Sequence, residues 1–406
     1  MIEKKRSIVY LQGLSTLVLV VIVIFGITGS AYSAKPPGVT DDTIKVGVIF
    51  DQTGPVAILL RPVTTGIRYY FRYINEQGGI HGRKLKTLVE DDRATIPMSI
   101  SAFKKLVYRD GIVALLGPTS TGGAISLMKS IEKEKIPTIP GSSADRMVNP
   151  LNRYIFIIKD TNAGQMKVMI DYIMKDLEVK NPRIGLVYPD NESGKADLDP
   201  GLERLKLYNV EPVSKQVLSF GAIDATSQVM NLKRAKVDYV LLLGSPTQPA
   251  IVLLREMKKF GLNVPLFGVH ATCDESVLAI GDAANNFYAV SFVASWYDEG
   301  SGLAKMREII LKYEPGTENQ IRGKTFMPGW LDGLIYVEAM KRAGRNLDGD
   351  AIVDAIESIK NYDTGGICGP LTFGPTDHKG GSAWKMFKSD PSAGKFIPLT
   401  GWREPK

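Results

Sequence analysis

The sequence is poor in the residues that build metal and redox centres. Its 406 residues include two cysteines, Cys273 and Cys368, and three histidines, His81, His270 and His378. The cysteines form no C-x-x-C pair and the histidines are scattered, so we predict neither a metal nor another cofactor. In an oxidising compartment the two cysteines could form one disulfide, or they could be separate buried thiols. The sequence leaves both alternatives open.

Motifs of known enzymes are also absent. There is no G-x-G-x-x-G after a strand, no Walker loop, no H-E-x-x-H and no G-x-S-x-G elbow. The adjacent acids Asp91 and Asp92 follow a predicted strand, and neighbouring strand residues point to opposite faces, so the two carboxylates do not form a catalytic dyad. The sequence therefore predicts a protein that is not an enzyme.

Long apolar runs are confined to the first 33 residues, which excludes a polytopic membrane protein. Lys4-Lys5-Arg6, the apolar run Leu17 to Ile27 and the small residues up to Ala34 are typical of a secretory signal peptide. We predict that residues 1–33 are removed and that the mature protein is periplasmic. An uncleaved membrane anchor is the alternative.

Composition and charge indicate a folded protein that does not bind nucleic acid. Hydrophobic residues make up 44% and charged residues 23% of the chain, near the average for globular proteins. The formal net charge of +7 is spread along the sequence without a basic block, whereas nucleic-acid-binding proteins concentrate basic residues on one face. The length favours two or three domains.

From residue 44 onward, short β-branched runs alternate with amphipathic ones. This alternation predicts parallel sheets with helices on both faces, and it occurs twice along the chain. Among the predicted strands are Ile44–Phe50, Ile112–Leu116, Tyr154–Ile158, Val237–Leu243 and Leu371–Phe373. Among the predicted helices are Val63–Asn75, Gly122–Lys133 and Met327–Ala343.

Two loops rich in hydroxyls and glycine follow neighbouring strands. They are Gly117–Gly123, which opens a helix, and Gly141–Ser143. In open α/β sheets ligands bind beyond the carboxyl ends of the strands, and free N–H groups at a helix start favour an anion such as a carboxylate. The alternative is that Ser120 and Ser143 are helix N-caps.

Several motifs resemble those of one transport family. They are Thr53-Gly54-Pro55, the G-G-I-x-G-R-K block at 78–84, Glu90-Asp91-Asp92 and Leu116-Gly117-Pro118. With this spacing, residues 43–405 resemble the periplasmic solute-binding proteins of branched-chain amino-acid-type ABC transporters, the leucine/isoleucine/valine-binding protein family.

The resemblance implies a type I periplasmic binding protein: an α/β fold of two doubly wound parallel-sheet lobes joined by a three-crossover hinge. Lobe one would comprise residues 40–160 plus 293–376, and lobe two 161–292 plus 377–406. The ligand would be enclosed by hinge closure, and a monomer would deliver it to a membrane permease.

Family members hold the ligand carboxylate with a hydroxyl residue after the G-P loop and with the backbone and hydroxyl of a second loop. The resemblance carries these roles to five positions, namely Ser120, Thr121, Gly141, Ser142 and Ser143.

The second lobe departs from the family pattern. Where family members place an acid that pairs with the ligand ammonium, this sequence has His270, with Glu275 as the nearest acid if the register shifts. Two positions that are aromatic in the family match Ser193 and Pro246. Tyr188 would be either a replacement aromatic wall or a core residue.

These departures bear on the ligand. An enclosed ammonium without a carboxylate partner loses a charge-assisted hydrogen bond. Arg61 lies near the expected lobe-one aromatic position and, with His270, would favour a second acceptor or anionic group, unless Arg61 points to solvent and His270 is structural. We therefore predict an organic or aromatic acid as the ligand. A true branched-chain amino-acid binder and a ligand-sensing protein on the same fold are the alternatives.

Overall fold

The first of two sheets is built from four short parallel strands in the order β2-β1-β3-β4. The computed structural model describes residues 37–318 and 323–406, so the predicted signal peptide lies outside the described residues. The strands are β1 (Thr43–Ile49), β2 (Lys84–Glu90), β3 (Ala114–Leu116) and β4 (Thr138–Ile139). The helices that alternate with them are α1 (Ala57–Glu76), α2 (Ile96–Lys104) and α3 (Thr121–Glu134).

The second sheet has seven strands in the order β11-β10-β9-β8-β7-β5-β6. The first five in sequence are parallel: β5 (Ile184–Tyr188), β6 (Ser214–Val217), β7 (Tyr239–Leu242), β8 (Leu266–Gly268) and β9 (Phe287–Ser291). The last two, β10 (Lys385–Asp390) and β11 (Lys395–Pro398), add antiparallel at one edge. The helices α4 (Asn162–Asp171), α5 (Glu192–Leu207), α6 (Thr226–Arg234) and α7 (Thr247–Lys259) alternate with the parallel strands.

Three later helices return the chain to the first sheet. They are α8 (Ser301–Tyr313), α9 (Phe326–Ala343) and α10 (Gly349–Glu357). The buried hydroxyl oxygen of Tyr336 in α9 lies 2.8 and 2.7 Å from the carbonyl oxygens of Leu115 and Pro137, and its single hydrogen bonds to this pair, which anchors α9 to the first sheet. The chain then re-enters the second sheet at β10, so it crosses between the sheets three times. We call the first sheet with its helices lobe one and the second lobe two.

The predicted strands Tyr154–Ile158 and Leu371–Phe373 are not strands. Both lie where the chain leaves lobe one, and they pair only through isolated bridges, such as Thr138 with Ile155 and Ile157 with Lys379. The apolar pattern that suggested strands is real, because Ile155 to Ile158 are buried. The first segment pairs with Thr138 and then with Lys379, and Leu371 pairs with Tyr362, so neither segment forms a continuous ladder with a sheet.

Both cysteines and one of the histidines, His378, are buried in the structure. Cys273 and Cys368 are buried free thiols, so the disulfide alternative is not realised in this structure. His378 is buried, stacks on Phe156 with ring centroids 3.9 Å apart, and its Nδ1 lies 2.9 Å from the Ile155 carbonyl oxygen. Within the described residues, no three histidine, cysteine or acidic side chains are arranged to hold a metal. Those residues also include no helix that is both long and apolar enough to span a membrane.

A buried ion pair ties the segment before α9 to lobe two. Lys324 is fully buried, and its Nζ lies 3.5 Å from Glu275 Oε1 and 4.0 Å from the ring centroid of Phe387 in β10. The Lys324 backbone N–H donates to Glu275 Oε2 at 2.9 Å. Because α9 packs on lobe one, this pair connects the two lobes. Pro37–Lys406 form one compact unit.

Candidate ligand-binding site

A cavity of about 160 Å³ lies between the two lobes, at the carboxyl ends of their parallel strands. An engineered cavity of about 150 Å³ in another protein holds benzene, so this one has room for a small solute. Most residues predicted for the site line it, namely Ser120, Thr121, Gly141, Ser142, Ser143, Ser193, Pro246 and His270. Parallel strands place their carboxyl ends at one edge, which is why loops distant in sequence converge here.

Arg61 and Tyr188 are not among the residues lining the cavity, contrary to the prediction. The Arg61 side chain is exposed, and its Nε donates to the Gln52 carbonyl oxygen at 2.6 Å. Tyr188 is half-buried and packs against the hydrophobic core. Phe220, in the loop after β6, brings a benzyl side chain to the cavity, and no sequence pattern pointed to it.

The start of α3 offers hydrogen-bond donors to the cavity. Ser120 is the N-cap, because its Oγ accepts from the Gly123 N–H at 3.1 Å. Within the described part of the chain, the backbone N–H groups of Ser120 and Thr121 have no hydrogen-bond partner. Thr119 holds the loop in place, since its hydroxyl donates to Asp92 Oδ1 at 2.7 Å. Free first-turn N–H groups together with the helix dipole favour an anion at this point.

In the second lobe-one loop, Gly141–Ser143, groups that were predicted to bind the ligand already form hydrogen bonds within the protein. The Gly141 N–H donates to the Pro118 carbonyl oxygen at 3.1 Å, so it is not a free anchor. The Ser143 hydroxyl donates to Asn162 Oδ1 at 3.0 Å, and Ser143 is not an N-cap. Ser143 therefore acts on the cavity through Asn162 at the start of α4.

Asp197 in α5 holds several walls of the cavity together. Its Oδ1 accepts from Asn162 Nδ2 at 2.5 Å and from Gln165 Nε2 at 2.8 Å, and its Oδ2 accepts from the Gly244 N–H at 2.5 Å. Gly244 has φ +56°, and a Cβ there would lie 2.4 Å from the Ser193 carbonyl oxygen, so this approach requires glycine. Burial raises the pKa of Asp197 to about 6. The side chain is only 1% exposed, so a ligand has little access to this carboxyl.

Lys159 brings a positive charge to the cavity. It is half-buried and lines the cavity, and in the described ranges its ammonium has no hydrogen bond and no ion pair within 4 Å. Burial lowers the pKa of Lys159 to about 8, while the charges of Asp332 and Asp197 oppose that shift. Burial likewise raises the pKa of Asp332, a buried residue of α9, to about 8, against the effect of Lys159. Near neutral pH the cavity therefore contains an ammonium without a close counter-ion.

His270 lines the cavity with an uncharged imidazole. Its backbone N–H donates to Gln165 Oε1 at 3.2 Å, and its ring packs edge-on against Phe292 with centroids 4.5 Å apart. Burial, with the charges of Lys159 and Lys324, holds the pKa of His270 well below its usual value. Lys159 lines the cavity with a positively charged side chain, whereas Arg61 does not line it and His270 is neutral.

Glu275, the alternative acid for a ligand ammonium, does not line the cavity. Its carboxylate accepts from the Lys324 N–H and from the Ser295 hydroxyl, the latter at 3.1 Å. Glu275 is therefore not positioned to pair with a ligand ammonium in the cavity.

The lobes touch each other beside the cavity. The Ser193 hydroxyl of lobe two donates to Thr121 Oγ1 of lobe one at 3.3 Å. Arg146 Nη1 lies 3.1 Å from Glu192 Oε2. These contacts link the two lobes at one side of the cavity.

Comparison with known proteins agrees with this architecture. A family model described as periplasmic binding protein matches residues 43–395. The chain is similar to the Leu/Ile/Val-binding protein BraC3 of Rhizobium johnstonii, with 24% identity over 87% of this chain and 93% of the relative. It is also similar to Leu/Ile/Val-binding protein homolog 3 of Brucella melitensis, with 25% identity over 88% and 93%.

Solved structures show the same fold. A fatty acid ABC transporter substrate-binding protein from Thermomonospora curvata superposes with a TM-score of 0.82 at 23% identity, covering 91% of this chain and 94% of the other. A branched chain amino acid ABC transporter protein from Thermus thermophilus with bound valine gives a TM-score of 0.83 at 23% identity, covering 90% and 97%. At this identity the likeness establishes the fold and leaves the ligand undetermined. The matched relatives are named as binding proteins, not as enzymes.

Proposed function

Because the chain belongs to the family of periplasmic binding proteins, we propose that it is the solute-binding component of an ABC importer and that its ligand is a small organic acid without an amino group. The observation that carries this proposal is the ammonium of Lys159, which lines the cavity without an ion pair among the described residues.

Two features of the cavity suit a carboxylate. Lys159 supplies the charge, and the start of α3 supplies the unpaired N–H groups of Ser120 and Thr121. Hydrogen bonds between charged groups are roughly twice as strong as neutral ones, and enclosure weakens competition from water. The apolar residues Leu59, Leu60 and Phe220 complete the lining and suit the hydrocarbon part of such an acid.

The same groups disfavour an α-amino acid. Its ammonium would need an acidic partner, yet Asp197 is 1% exposed and both of its oxygens already accept hydrogen bonds. Glu275 is paired with Lys324 outside the cavity. A second ammonium beside Lys159 would also be repelled, and more strongly in an enclosed site than in water.

The mechanism follows from the geometry and involves no covalent step. The acid binds when the lobes are apart, the lobes close over it with Thr121 and Ser193 in contact, and the closed protein presents it to a permease. As part of this proposal the protein is exported after loss of residues 1–33 and acts as a monomer in the periplasm. Its lobes are bounded as 40–160 with 293–376, and 161–292 with 377–406.

Calorimetric titration and thermal shift of residues 34–406 test the proposal. The panel contains leucine, valine, 4-methylpentanoate, benzoate and succinate. A ligand that binds only the folded state raises stability once its concentration exceeds the dissociation constant. We expect one or more acids without an amine to bind, and leucine and valine to bind weakly or not at all. Tightest binding by leucine would contradict the ligand class and favour the amino-acid alternative, which the names of the relatives support.

A further inference from the structure

The hydrogen bonds of Ser291 fix the tautomer of His270. Ser291 is fully buried at the end of β9, and its hydroxyl donates to the Val293 carbonyl oxygen at 2.9 Å. The same Oγ accepts from the Val293 N–H at 3.2 Å and lies 3.2 Å from His270 Nδ1. A hydroxyl has one hydrogen, and of the two acceptors within reach the Val293 carbonyl oxygen, at 2.9 Å, is closer than His270 Nδ1, at 3.2 Å, so we assign the hydrogen to Val293. The contact with His270 therefore requires a proton on Nδ1.

A neutral imidazole protonated at Nδ1 has an unprotonated Nε2, which can only accept a hydrogen bond. Within residues 37–318 and 323–406, Nε2 of His270 has no hydrogen-bond partner, and the residue lines the cavity. Lys159 and His270 pack against the same ring: Lys159 Nζ lies 5.1 Å and the imidazole centroid 4.5 Å from the centroid of Phe292. The cavity thus presents a cation and a neutral acceptor as neighbours.

We infer that the ligand carries a hydroxyl group in addition to its carboxylate, and that this hydroxyl donates to Nε2 of His270. The inference rests on the proposed function, because it assigns a second group to the same ligand. An acceptor left unpaired in a closed cavity loses its hydrogen bond to water, so the site discriminates against an acid without a donor.

The donor is a hydroxyl rather than an ammonium because of the neighbouring charge. An ammonium that donates to Nε2 would lie close to Lys159, whose own ammonium has no ion pair among the described residues. A hydroxyl donates without adding positive charge. His270, at the position where the family resemblance places an acid, therefore selects a hydroxy acid in place of an amino acid.

Matched ligand pairs test the inference on residues 34–406. The aliphatic series is 2-hydroxy-4-methylpentanoate, 4-methylpentanoate and leucine, and the aromatic series is 3- and 4-hydroxybenzoate with benzoate. We expect at least one hydroxy acid to bind ten times or more tightly than its parent acid. In His270→Leu this preference should disappear, whereas His270→Gln, whose side-chain oxygen can accept, should retain part of it.

The tautomer itself is measured by nitrogen-15 chemical shifts of the imidazole in the unliganded protein, which requires no variant. We expect a protonated Nδ1 and an unprotonated Nε2. Ser291 lies outside the cavity lining and is a positioning residue. Ser291→Ala should shift the tautomer toward protonated Nε2 and reduce the hydroxy-acid preference in parallel.

The outcomes separate the two proposals. If hydroxy acids and parent acids bind equally well, or if Nε2 carries the proton in the unliganded protein, the hydroxyl inference is wrong while the organic-acid function stands. If no acid binds and leucine does, the organic-acid function is wrong and the inference falls with it.

Discussion

Replacing Lys159 by methionine removes the charge at the cavity and keeps a side chain of similar length. If the ammonium donates to the ligand carboxylate, the change removes a hydrogen bond between charged groups, which contributes about 1.5–3 kcal/mol. The dissociation constant of an acid ligand should therefore rise about 10- to 150-fold. Lys159→Arg should retain most of the affinity. Lys195→Met is the matched control, since Lys195 is exposed on α5 and does not line this cavity.

The pH dependence gives a second measure of the same group. Burial lowers the pKa of Lys159 to about 8, and a carboxylate binds its protonated form, so affinity should fall above pH 8. The limiting loss is about tenfold per pH unit. Asp332, with a pKa raised to about 8, acquires negative charge over the same range and acts in the same direction, whereas His270 is already neutral.

Calorimetry between pH 6.5 and 9.5 at constant ionic strength measures both effects. In Lys159→Met and in Lys159→Arg the slope above pH 8 should shrink to the part contributed by Asp332. Asp332→Asn should remove that part and leave the Lys159 slope. Wild-type affinity that does not change between pH 7 and 9.5, or a Lys159→Met variant that binds like the wild type, would refute the assignment of Lys159 as the cationic anchor.

The remaining predictions concern the cavity wall and the core. Ser143→Ala should weaken an acid by about 1 kcal/mol through loss of the bond that holds Asn162; unchanged affinity in calorimetry would contradict this. Asp332→Asn should raise the free energy of unfolding by about 2–4 kcal/mol at pH 7 and by little at pH 4, because the raised pKa lets only the unfolded wild type release this proton between about pH 4 and 8; urea unfolding at both pH values measures it. Glu275→Gln should cost about 3–5 kcal/mol in urea unfolding because it leaves Lys324 buried and unpaired. The double change Lys324→Met with Glu275→Gln should cost less, because it removes the unpaired ammonium and keeps an amide oxygen that can accept from the backbone N–H of position 324; equal losses would contradict the buried-pair argument.

Local sequence patterns were sufficient to predict parallel sheets with helices on both faces, whereas the two lobes and their three crossovers were implied by the family resemblance. The buried strand β7 is a continuous apolar run, β1 is rich in β-branched residues on either side of Lys45, and the loops after β3 and β4 are marked by glycine and hydroxyl residues. Once the strands are parallel, their carboxyl ends meet, so Ser120 and Ser143 could be brought to one site without knowledge of side-chain positions. The crossing segments were mistaken for strands because burial, not pairing, determines their apolar pattern.

The electrostatics of the site could not be predicted from local patterns. Lys159 and Asp197 have no motif around them, and only the crossing of the chain between the sheets places Lys159 at the cavity. A cation was expected from the departures from the family pattern, but Arg61, the residue named for it, does not line the cavity. It lies on the outer side of α1, where its Nε bonds to Gln52, because the direction of a helical side chain depends on how the helix packs.

If the protein has the proposed function, the unpaired ammonium of Lys159 also explains why closure of the two lobes would depend on the ligand. Bringing the lobes together removes water from Lys159, and a desolvated charge without a partner is unfavourable. The direct contacts between Thr121 and Ser193 and between Arg146 and Glu192 are a neutral hydrogen bond and an exposed ion pair, each contributing about 1 kcal/mol or less. A carboxylate inside the cavity compensates the desolvated ammonium, whereas an uncharged solute of the same shape does not. The charge that selects the ligand therefore also makes the closed form more favourable when an acid is enclosed, which is the form the permease would have to distinguish from the empty protein.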